Sequence, residues 1–197
     1  MAKQGFNSLI KAQSSAVVFT DEATTTGDDI SYQITDTSKR LWDLETPILV
    51  EDSAVPTTES FKVNRLTGTI TFESAVSRTI TVSGSSVTPV TVAQGKSFTF
   101  NGVREVLDNT IFQNESRTFQ SGLLTGTAEI GRFYVDTFFF DQLLNGEIKI
   151  LEFYADDSLD PIRAFGLVTS ETIEDPVAGL VEESISFQLT DNITSGV

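Results

Sequence analysis

The chain has 197 residues, no cysteine, no histidine and a formal net charge of −15. These absences exclude disulfides, thiolate or imidazole metal sites, and catalysis by a Cys–His pair or a Ser–His–Asp triad. The length is typical of one domain with its own hydrophobic core, and the acidic balance disfavours binding to nucleic acid phosphates. Catalysis would be limited to carboxylate, lysine, tyrosine or N-terminal threonine chemistry, so we expect no enzyme, no cofactor and no metal site.

The acidic charge is concentrated in the second half of the chain. Residues 1–100 contain 11 acidic and 8 basic side chains, whereas residues 101–197 contain 17 and 5. The second half should therefore form the acidic face. The N-terminus lacks the apolar segment of a signal peptide, and no stretch reaches the roughly 18–20 apolar residues of a membrane span, so we expect neither classical secretion nor membrane insertion.

Abundant β-branched and aromatic residues, with turn-forming residues at short intervals, predict a mainly β protein. We expect a single domain of residues 1–197 with a sandwich or barrel-like fold. Within it, residues 1–30 are predicted to form an N-terminal arm and a polar loop, and residues 31–197 the β core. Ala2–Gln13 is interpreted as a short helix or arm, and the polar run Thr20–Asp29 as a mobile loop.

Several strands are predicted in the first half of the chain. The clearest signal is a hairpin over Phe61–Phe72, where side chains alternate with period two around the turn Leu66–Gly68. A turn-rich connection is expected over Glu51–Ser60 and a loop over Ser83–Ser86. Further strands are predicted at Pro47–Val50, Thr79–Val82, Val90–Ala93 and Ser97–Phe100, the last two joined by a turn at Gln94–Lys96.

The second half opens with a long polar segment, Asn101–Gln120, which contains scattered apolar residues and predicts a strand or extended loop that needs a partner surface. A strand is predicted at Thr125–Val135. A short helix is predicted over Asp136–Asn145, with Asp136 as its cap, Phe140, Leu143 and Leu144 on its buried face, and Gly146 at its end. The remaining predicted strands are Ile148–Tyr154, Arg163–Thr169 and Ser184–Thr190, with Ile185, Phe187 and Leu189 on one side.

Two motifs suggest ligand sites but have simpler explanations. Gly95–Ser97 resembles the end of a phosphate-binding loop, but Val90 stands where that loop needs glycine and no helix follows. Asp156–Asp160 clusters three carboxylates that could hold Ca²⁺, but the spacing of an EF-hand loop is absent. We interpret both segments as turns, and whether Asp156–Asp160 binds a cation stays open.

Paired acids and aromatic residues suggest other functions. Asp28–Asp29 and Glu182–Glu183 could be read as glycosidase carboxylates, but adjacent residues on a strand point to opposite faces. Phe133, Tyr134 and the run Phe138–Phe140 could stack on sugars or bases, but we interpret most of them as core around the helix. Trp42, beside Lys39 and Arg40, is interpreted as a partly buried anchor. We therefore assign no catalytic, cofactor-binding or metal-binding residue.

The order of these segments resembles the tail tube (major tail) protein family of long-tailed bacteriophages. In the first half the resemblance rests on K-R-L-W-D-L (Lys39 to Leu44), followed by F-K-V-N-R-L-T-G-T-I-T-F (Phe61 to Phe72). In the second half it rests on L-D-N-T-I-F, R-T-F-Q-S-G-L, F-Y-V-D-T-F-F-F-D-Q-L-L-N-G, I-R-A-F-G-L-V and V-E-E-S-I-S-F-Q, which begin at Leu107, Arg117, Phe133, Ile162 and Val181. The resemblance extends from about Ser31 onward, and the run Thr20–Asp29 has no counterpart in the family's pattern.

The resemblance implies a structural subunit of the virion tail that is made and assembled in the cytoplasm of a bacterial host. Such subunits close into hexameric rings, and the rings stack into a tube through which DNA passes without specific binding. The implied partners are other copies of the chain, a tape-measure protein, baseplate or tail-tip proteins and a tail-terminator protein, with a sheath protein if the tail is contractile. The resemblance also implies extended loops or a hairpin that are used in assembly.

Two other functions stay open from the residues alone. A carbohydrate-binding or adhesin β-sandwich predicts a monomer with an aromatic platform on one face. A carboxylate-based hydrolase predicts a cleft that holds two acids. The long polar segment Asn101–Gln120 favours the assembling subunit, because such a segment becomes ordered on a neighbour.

Overall fold

The structure is a computed structural model that describes residues 9–75, 78–94, 97–109, 116–155, 160–176 and 178–195. These residues form a mainly β protein with one short α-helix, as predicted. The strands are β1 (Leu9–Gln13), β2 (Val17–Thr26), β3 (Ser31–Ile34), β4 (Leu49–Asp52), β5 (Val55–Pro56), β6 (Phe61–Asn64), β7 (Thr69–Phe72), β8 (Ile80–Ser86), β9 (Pro89–Gln94), β10 (Ser97–Asp108), β11 (Phe119–Phe133), β12 (Ile148–Tyr154), β13 (Ile162–Glu174) and β14 (Glu182–Ser195); the helix α1 is Phe138–Asn145.

The strands form two seven-stranded sheets in which all pairings are antiparallel. The first sheet has the order β10-β11-β14-β13-β12-β1-β9, and the second has the order β5-β4-β8-β2-β3-β7-β6. Strands β1 and β9 belong to the first sheet, although most of that sheet comes from the second half of the chain. The two halves of the sequence are therefore interleaved in the fold.

The first sheet curls toward a barrel. Its outermost strands, β9 and β10, are consecutive in the chain, and only two residues separate Gln94 from Ser97. Three residue steps span at most about 11 Å, so the two edges of the sheet approach each other at this end. In agreement, the ring of Phe98 on β10 lies 6.0 Å from that of Phe153 on β12, four positions away in the sheet order.

The inside of the curled sheet is apolar and is covered by α1. The side chain of Phe139 on α1 is fully buried there and makes an edge contact of 5.7 Å with the ring of Phe187. The inward side chains of the strands include Ile10, Ala128, Ile130, Leu151, Phe153, Ile185, Phe187 and Leu189. The predicted inward row Ile185, Phe187 and Leu189 on β14 is confirmed.

The outer face of the first sheet contacts the second sheet. Because side chains alternate along a strand, Leu151 points inward while its neighbour Ile150 points to the other face. Ile150 and Phe165 pack there with Leu41, Leu66 and Val87. These five residues join the two sheets.

The second sheet has its own core around Trp42. The indole N–H of Trp42 donates to the carbonyl oxygen of Lys39 at 2.7 Å, and its ring lies 6.1 Å from that of Phe19. Trp42 is fully buried, so it lies deeper than the partly buried anchor we predicted. The hairpin predicted over Phe61–Phe72 is confirmed as β6 and β7, paired from Phe61↔Phe72 to Asn64↔Thr69.

The predicted arm and polar loop at the N-terminus are wrong for the described residues. Leu9–Gln13 forms β1, and Thr20–Thr26 lies within β2, which pairs with β8 and β3. Only Phe19 is buried on β2, so its polar, threonine-rich sequence shows no alternation, although threonine favours strands. Residues 1–8 lie outside the described residues.

Two predictions about loops in the first half also differ from the structure. Ser83–Ser86 is not a loop, because β8 continues through it; Gly84 leaves room there for the side chains of Ile48 and Phe19. The predicted strands around residues 90 and 98 are present, but they do not pair with each other. Strand β9 pairs with β1, and β10 pairs with β11.

The helix exists, but its buried face differs from the prediction. The N-cap residue is Thr137 rather than the predicted Asp136, although Asp136 Oδ1 accepts a hydrogen bond of 3.2 Å from the backbone N–H of Phe138. Gly146 ends the helix with φ 64°. The buried residues are Phe139 and Gln142, with Leu143 partly buried, whereas Phe140 and Leu144 are exposed. The correct face includes a glutamine, which a search for apolar spacing passes over.

Candidate functional site

The most exposed feature of the described chain is a two-stranded arm, formed by Asn101–Asp108 of β10 and Phe119–Thr125 of β11. β14 pairs with β11 only from Gly126 to Phe133, so the arm strands pair only with each other. A two-stranded ribbon is marginally stable in water by itself. The arm therefore extends from the barrel as a ribbon, and no third strand from the described residues lies beside it.

The arm carries apolar side chains that face solvent. Every residue from Asn101 to Asp108 is exposed. Large apolar side chains on the arm are between 45% and 75% exposed: Val103, Val106, Leu107, Phe119 and Leu123. A cluster of this kind on a protein surface marks an interaction site. The predicted need of segment 101–120 for a partner surface agrees with this exposure; residues 110–115 lie outside the described residues.

The arm also differs from the rest of the second half in charge. Three of the five basic residues in positions 101–197 are paired with carboxylates on the barrel: Arg132 with Glu183, Lys149 with Glu147, and Arg163 with Glu152. The other two, Arg104 and Arg117, lie on the arm or next to it. With Glu105 and Asp108, Arg104 leaves the arm a net charge of −1, within a half that carries a net charge of −12.

The base of the arm is held by buried side chains. At Gly126, a β-carbon would lie 3.1 Å from the side chains of both Leu189 and Ile193, so the strands pack closely where the arm leaves the barrel. Six residues further along β11, Arg132 is almost fully buried. Its Nε donates to Glu183 Oε2 at 2.6 Å, and its Nη1 donates to the carbonyl oxygen of Val92 at 2.8 Å.

Arg132 also fixes the start of α1. Its Nη2 donates to Asp136 Oδ1 at 3.1 Å, and its guanidinium lies 4.6 Å from the centre of the Phe139 ring. One cation therefore joins β11, β14, β9 and the N-terminal end of α1. Spacing in the sequence did not reveal this cluster, because its members come from four separate segments.

A second charged cluster lies on the outer face of the first sheet. Arg163 Nε donates to Glu152 Oε1 at 2.8 Å, and the hydroxyl of Tyr154 donates to Glu152 Oε2 at 2.8 Å. Burial, followed by the hydrogen bond to Glu152 and its negative charge, raises the pKa of Tyr154 to about 12. The arrangement satisfies a buried carboxylate and offers no free nucleophile.

The predicted aromatic core around the helix is only partly correct. Phe139 is buried and Phe138 packs against the core, but Phe133, Tyr134 and Phe140 are 44%, 37% and 42% exposed. Leu144 on the helix is exposed as well. Other large apolar side chains of the described acidic half are exposed outside the arm, among them Ile173 and Leu180.

The paired acids do not form a catalytic pair in the described residues. Glu183 is buried against Arg132, whereas Glu182 is on the other face of β14 and only half-buried, as strand alternation predicted. Asp28 lies in an exposed turn. Backbone N–H groups of Ser31 and Ile30 donate to its carboxylate, and these bonds lower the pKa of Asp28.

The other candidate ligand motifs lie largely outside the described residues. These are Gly95 and Lys96 of the motif that resembles a phosphate-binding loop, and residues 156–159 of the predicted acidic turn. Among the residues that the structure describes, no cluster of three or more acidic side chains is arranged to hold a metal ion. Within the same residues, no helix has the length and apolarity needed to cross a membrane.

Comparison with known proteins gives a weak likeness in fold. No family model matches the sequence, and no curated protein matches it. One similar structure is a chain from the tail of an empty gene transfer agent (GTA) particle with C6 symmetry, at 13% identity and a TM-score of 0.48, covering 55% of this chain and 87% of the other. Another comes from the virion of a native GTA particle, at 11% identity and a TM-score of 0.48, covering 55% of this chain and 89% of the other. A likeness at this level does not decide family or function.

Proposed function

We propose that this chain is a non-catalytic structural subunit of a phage tail tube, which self-assembles into stacked hexameric rings and forms the conduit for DNA ejection. The observation that carries the proposal is the arm, Asn101–Asp108 with Phe119–Thr125. Its apolar side chains face solvent in the single chain, and it has no third strand beside it. Burial against a neighbouring copy would remove both features at once.

The position of the arm favours an open assembly. The arm projects from one edge of the first sheet, and we propose that it docks on a different surface of the next copy. An interface between two different surfaces either closes into a ring or continues as a filament, and a stacked-ring tube uses both. The low net charge of the arm, −1, also limits the like-charge repulsion that two strongly acidic surfaces would meet.

The partners and the lumen complete the proposal. A tube of this kind would bind a tape-measure protein, baseplate or tail-tip proteins and a tail terminator, with a sheath protein in a contractile tail. We also propose that the acidic second half lines the lumen. Fixed negative charge would repel DNA phosphates within roughly 8 Å at physiological salt, so DNA would pass without adhering. A neutral or basic inner wall in an assembled tube would contradict this part.

The test is negative-stain electron microscopy of the purified full chain, over a range of protein and salt concentrations. Rings or hollow tubes of uniform width are expected. If monomers persist even when tape-measure and tail-tip proteins are present, the proposal is wrong.

A pair of variants tests the role of the arm. Leu123→Glu places a charge on the arm, and Val18→Glu places one on β2; the two side chains are 75% and 74% exposed in the single chain. Leu123→Glu should prevent assembly while leaving the monomer folded, and Val18→Glu should still assemble. Assembly of both variants would show that the arm is not the contact.

A carbohydrate-binding or adhesin module is the second candidate, because the aromatic side chains of Phe133, Tyr134 and Phe140 are partly exposed. That function predicts a monomer that binds glycans through this surface. Glycan-array binding that is lost in Phe140→Ala, together with a monomer at all concentrations, would favour the adhesin over the tube subunit.

A further inference from the structure

The apolar interior of the curled sheet ends in a layer of charged side chains. On β14 the inward positions run Leu189, Phe187, Ile185 and then Glu183; on β11 they run Ala128, Ile130 and then Arg132. Glu183 and Arg132 are directly opposite each other in the strand register. On β13, Glu171 is opposite Ile185, one step from the same layer.

The charges in this layer do not balance. The guanidinium of Arg132 is already committed to Glu183 and Asp136, and to the carbonyl oxygen of Val92. Both carboxyl oxygens of Glu171 are buried, and among the described residues neither has a hydrogen-bond donor. An ionised Glu171 would thus be a buried charge without a partner, which is costly.

The other charged groups around Glu171 are mostly negative. From β14 it faces Glu183, and from α1 it faces Asp141; Arg132 on β11 is the cation, and Asp136 shares that cation. Burial first, and then the neighbouring carboxyl group of Glu183, raise the pKa of Glu171 to about 7. Arg132 opposes this rise, but its charge is largely neutralised by Glu183.

We propose that Glu171 holds a proton against the neighbouring Glu183 near neutral pH, and that loss of this proton at mildly alkaline pH loosens α1 from the end of the barrel. With the proton bound, one carboxyl group donates a hydrogen bond to the other, and Arg132 neutralises the single remaining charge. Without it, two carboxylates compete for one guanidinium beside Asp141. The inference concerns the fold of the single chain and holds whether or not the chain forms a tube.

The direction of the effect follows from proton linkage. A glutamate in the unfolded chain has the usual pKa of 4.5, whereas the folded value is about 7. The folded state therefore retains its proton over this interval while the unfolded state loses it. The stabilisation is complete below pH 4.5 and is lost as the pH rises through about 7.

The test compares Glu171→Gln with Glu174→Gln. Glutamine keeps the shape of a protonated Glu171. Glu174 is an exposed acid on the same strand, so its replacement makes the same change in net charge. Between pH 5 and pH 8.5, the Tm of the wild type and of Glu174→Gln should fall more than that of Glu171→Gln, by a few degrees. The protection factors of the α1 amides, which correct for the base catalysis of exchange, should fall over the same interval except in Glu171→Gln.

A direct titration keeps the proposal testable if a variant fails to fold. Carbon-13 NMR of the wild-type glutamate carboxyls should show one carboxyl, absent in Glu171→Gln, that takes up its proton near pH 7. If all glutamates titrate near their usual pKa, or if the two variants respond to pH alike, the proposal is overturned.

Discussion

Arg132 Nη1 donates a hydrogen bond of 2.8 Å to the carbonyl oxygen of Val92, a residue on β9 at the far edge of the first sheet. In the strand order, five positions separate β11 from β9. The bond therefore crosses the gap between the two ends of the curled sheet. Because β11 continues outward as the arm, the side chain that closes the barrel lies on the same strand as the proposed assembly contact.

Replacement of Arg132 should strongly destabilise the fold. Arg132→Met removes the bonds to Glu183, Val92 and Asp136 and leaves Glu183 buried without a cation. Breaking one side of a buried ion pair costs about 3–5 kcal/mol. Urea unfolding followed by circular dichroism measures this loss.

Two controls separate burial from the loss of a charge. Arg78→Met removes an ion pair with Asp52 in which Arg78 is 48% exposed, and such a pair contributes about 0–1 kcal/mol. The double variant Arg132→Met with Glu183→Leu removes both charges and should recover part of the loss. Equal effects of Arg132→Met and Arg78→Met would show that the buried cluster does not hold the barrel closed.

The close packing of β8 gives a second prediction. A β-carbon at Gly84 would lie 2.6 Å from Ile48 Cδ1 and 3.3 Å from Phe19 Cζ. Gly84→Ala should therefore destabilise the protein by about 1–3 kcal/mol through overpacking. A β-carbon at Gly27 would meet no neighbouring atom within 4 Å, and Gly27 has no positive φ, so Gly27→Ala should be nearly neutral. Thermal unfolding of the two variants measures the difference in stability. Equal stability would show that Ile48 does not pack onto Gly84.

Alternation of apolar and polar residues predicted the strands that have one buried and one exposed face. The hairpin β6–β7 and the strand β14 alternate strictly, because one face of each is buried and the other is not. Strand β2 was not predicted because its two faces do not differ. Phe19 is its one buried residue, and its other side chains show no alternation between buried and exposed positions. Its partners, β8 and β3, rather than its own sequence, make it a strand.

The residues of the candidate site were harder to predict than the strands, because they are brought together by tertiary structure. The need of segment 101–120 for a partner followed from its scattered apolar residues, and its exposure as an arm agrees with that. The Arg132–Glu183 pair did not follow, because it depends on the register of two strands whose partners lie 51 residues apart. The expected hairpin between β9 and β10 failed because a short connection also fits a barrel, where it joins strands at opposite edges.

The cluster around Glu152 gives a prediction for alkaline pH. The pKa of Tyr154 is about 12, because burial and the neighbouring Glu152 carboxylate disfavour the phenolate. The folded state keeps this proton beyond the usual pKa of 10, so the stabilisation is present below pH 10 and is lost as the pH rises toward 12. The chain has three tyrosines, and absorbance of tyrosinate follows their ionisation.

The titration of Tyr154 is isolated by subtracting the curve of Tyr154→Phe from that of the wild type. The difference should show one tyrosine that stays protonated well above pH 10, whereas the difference for Tyr134→Phe, which removes the hydroxyl of a partly exposed ring, serves as the comparison. Tyr154→Phe also leaves Glu152 Oε2 without its hydroxyl donor, while Arg163 still binds Oε1. A loss of about 1 kcal/mol at pH 7 is therefore expected, and it should shrink as the pH approaches 12. An ordinary titration in the difference curve would mean that Tyr154 does not donate to Glu152 in solution.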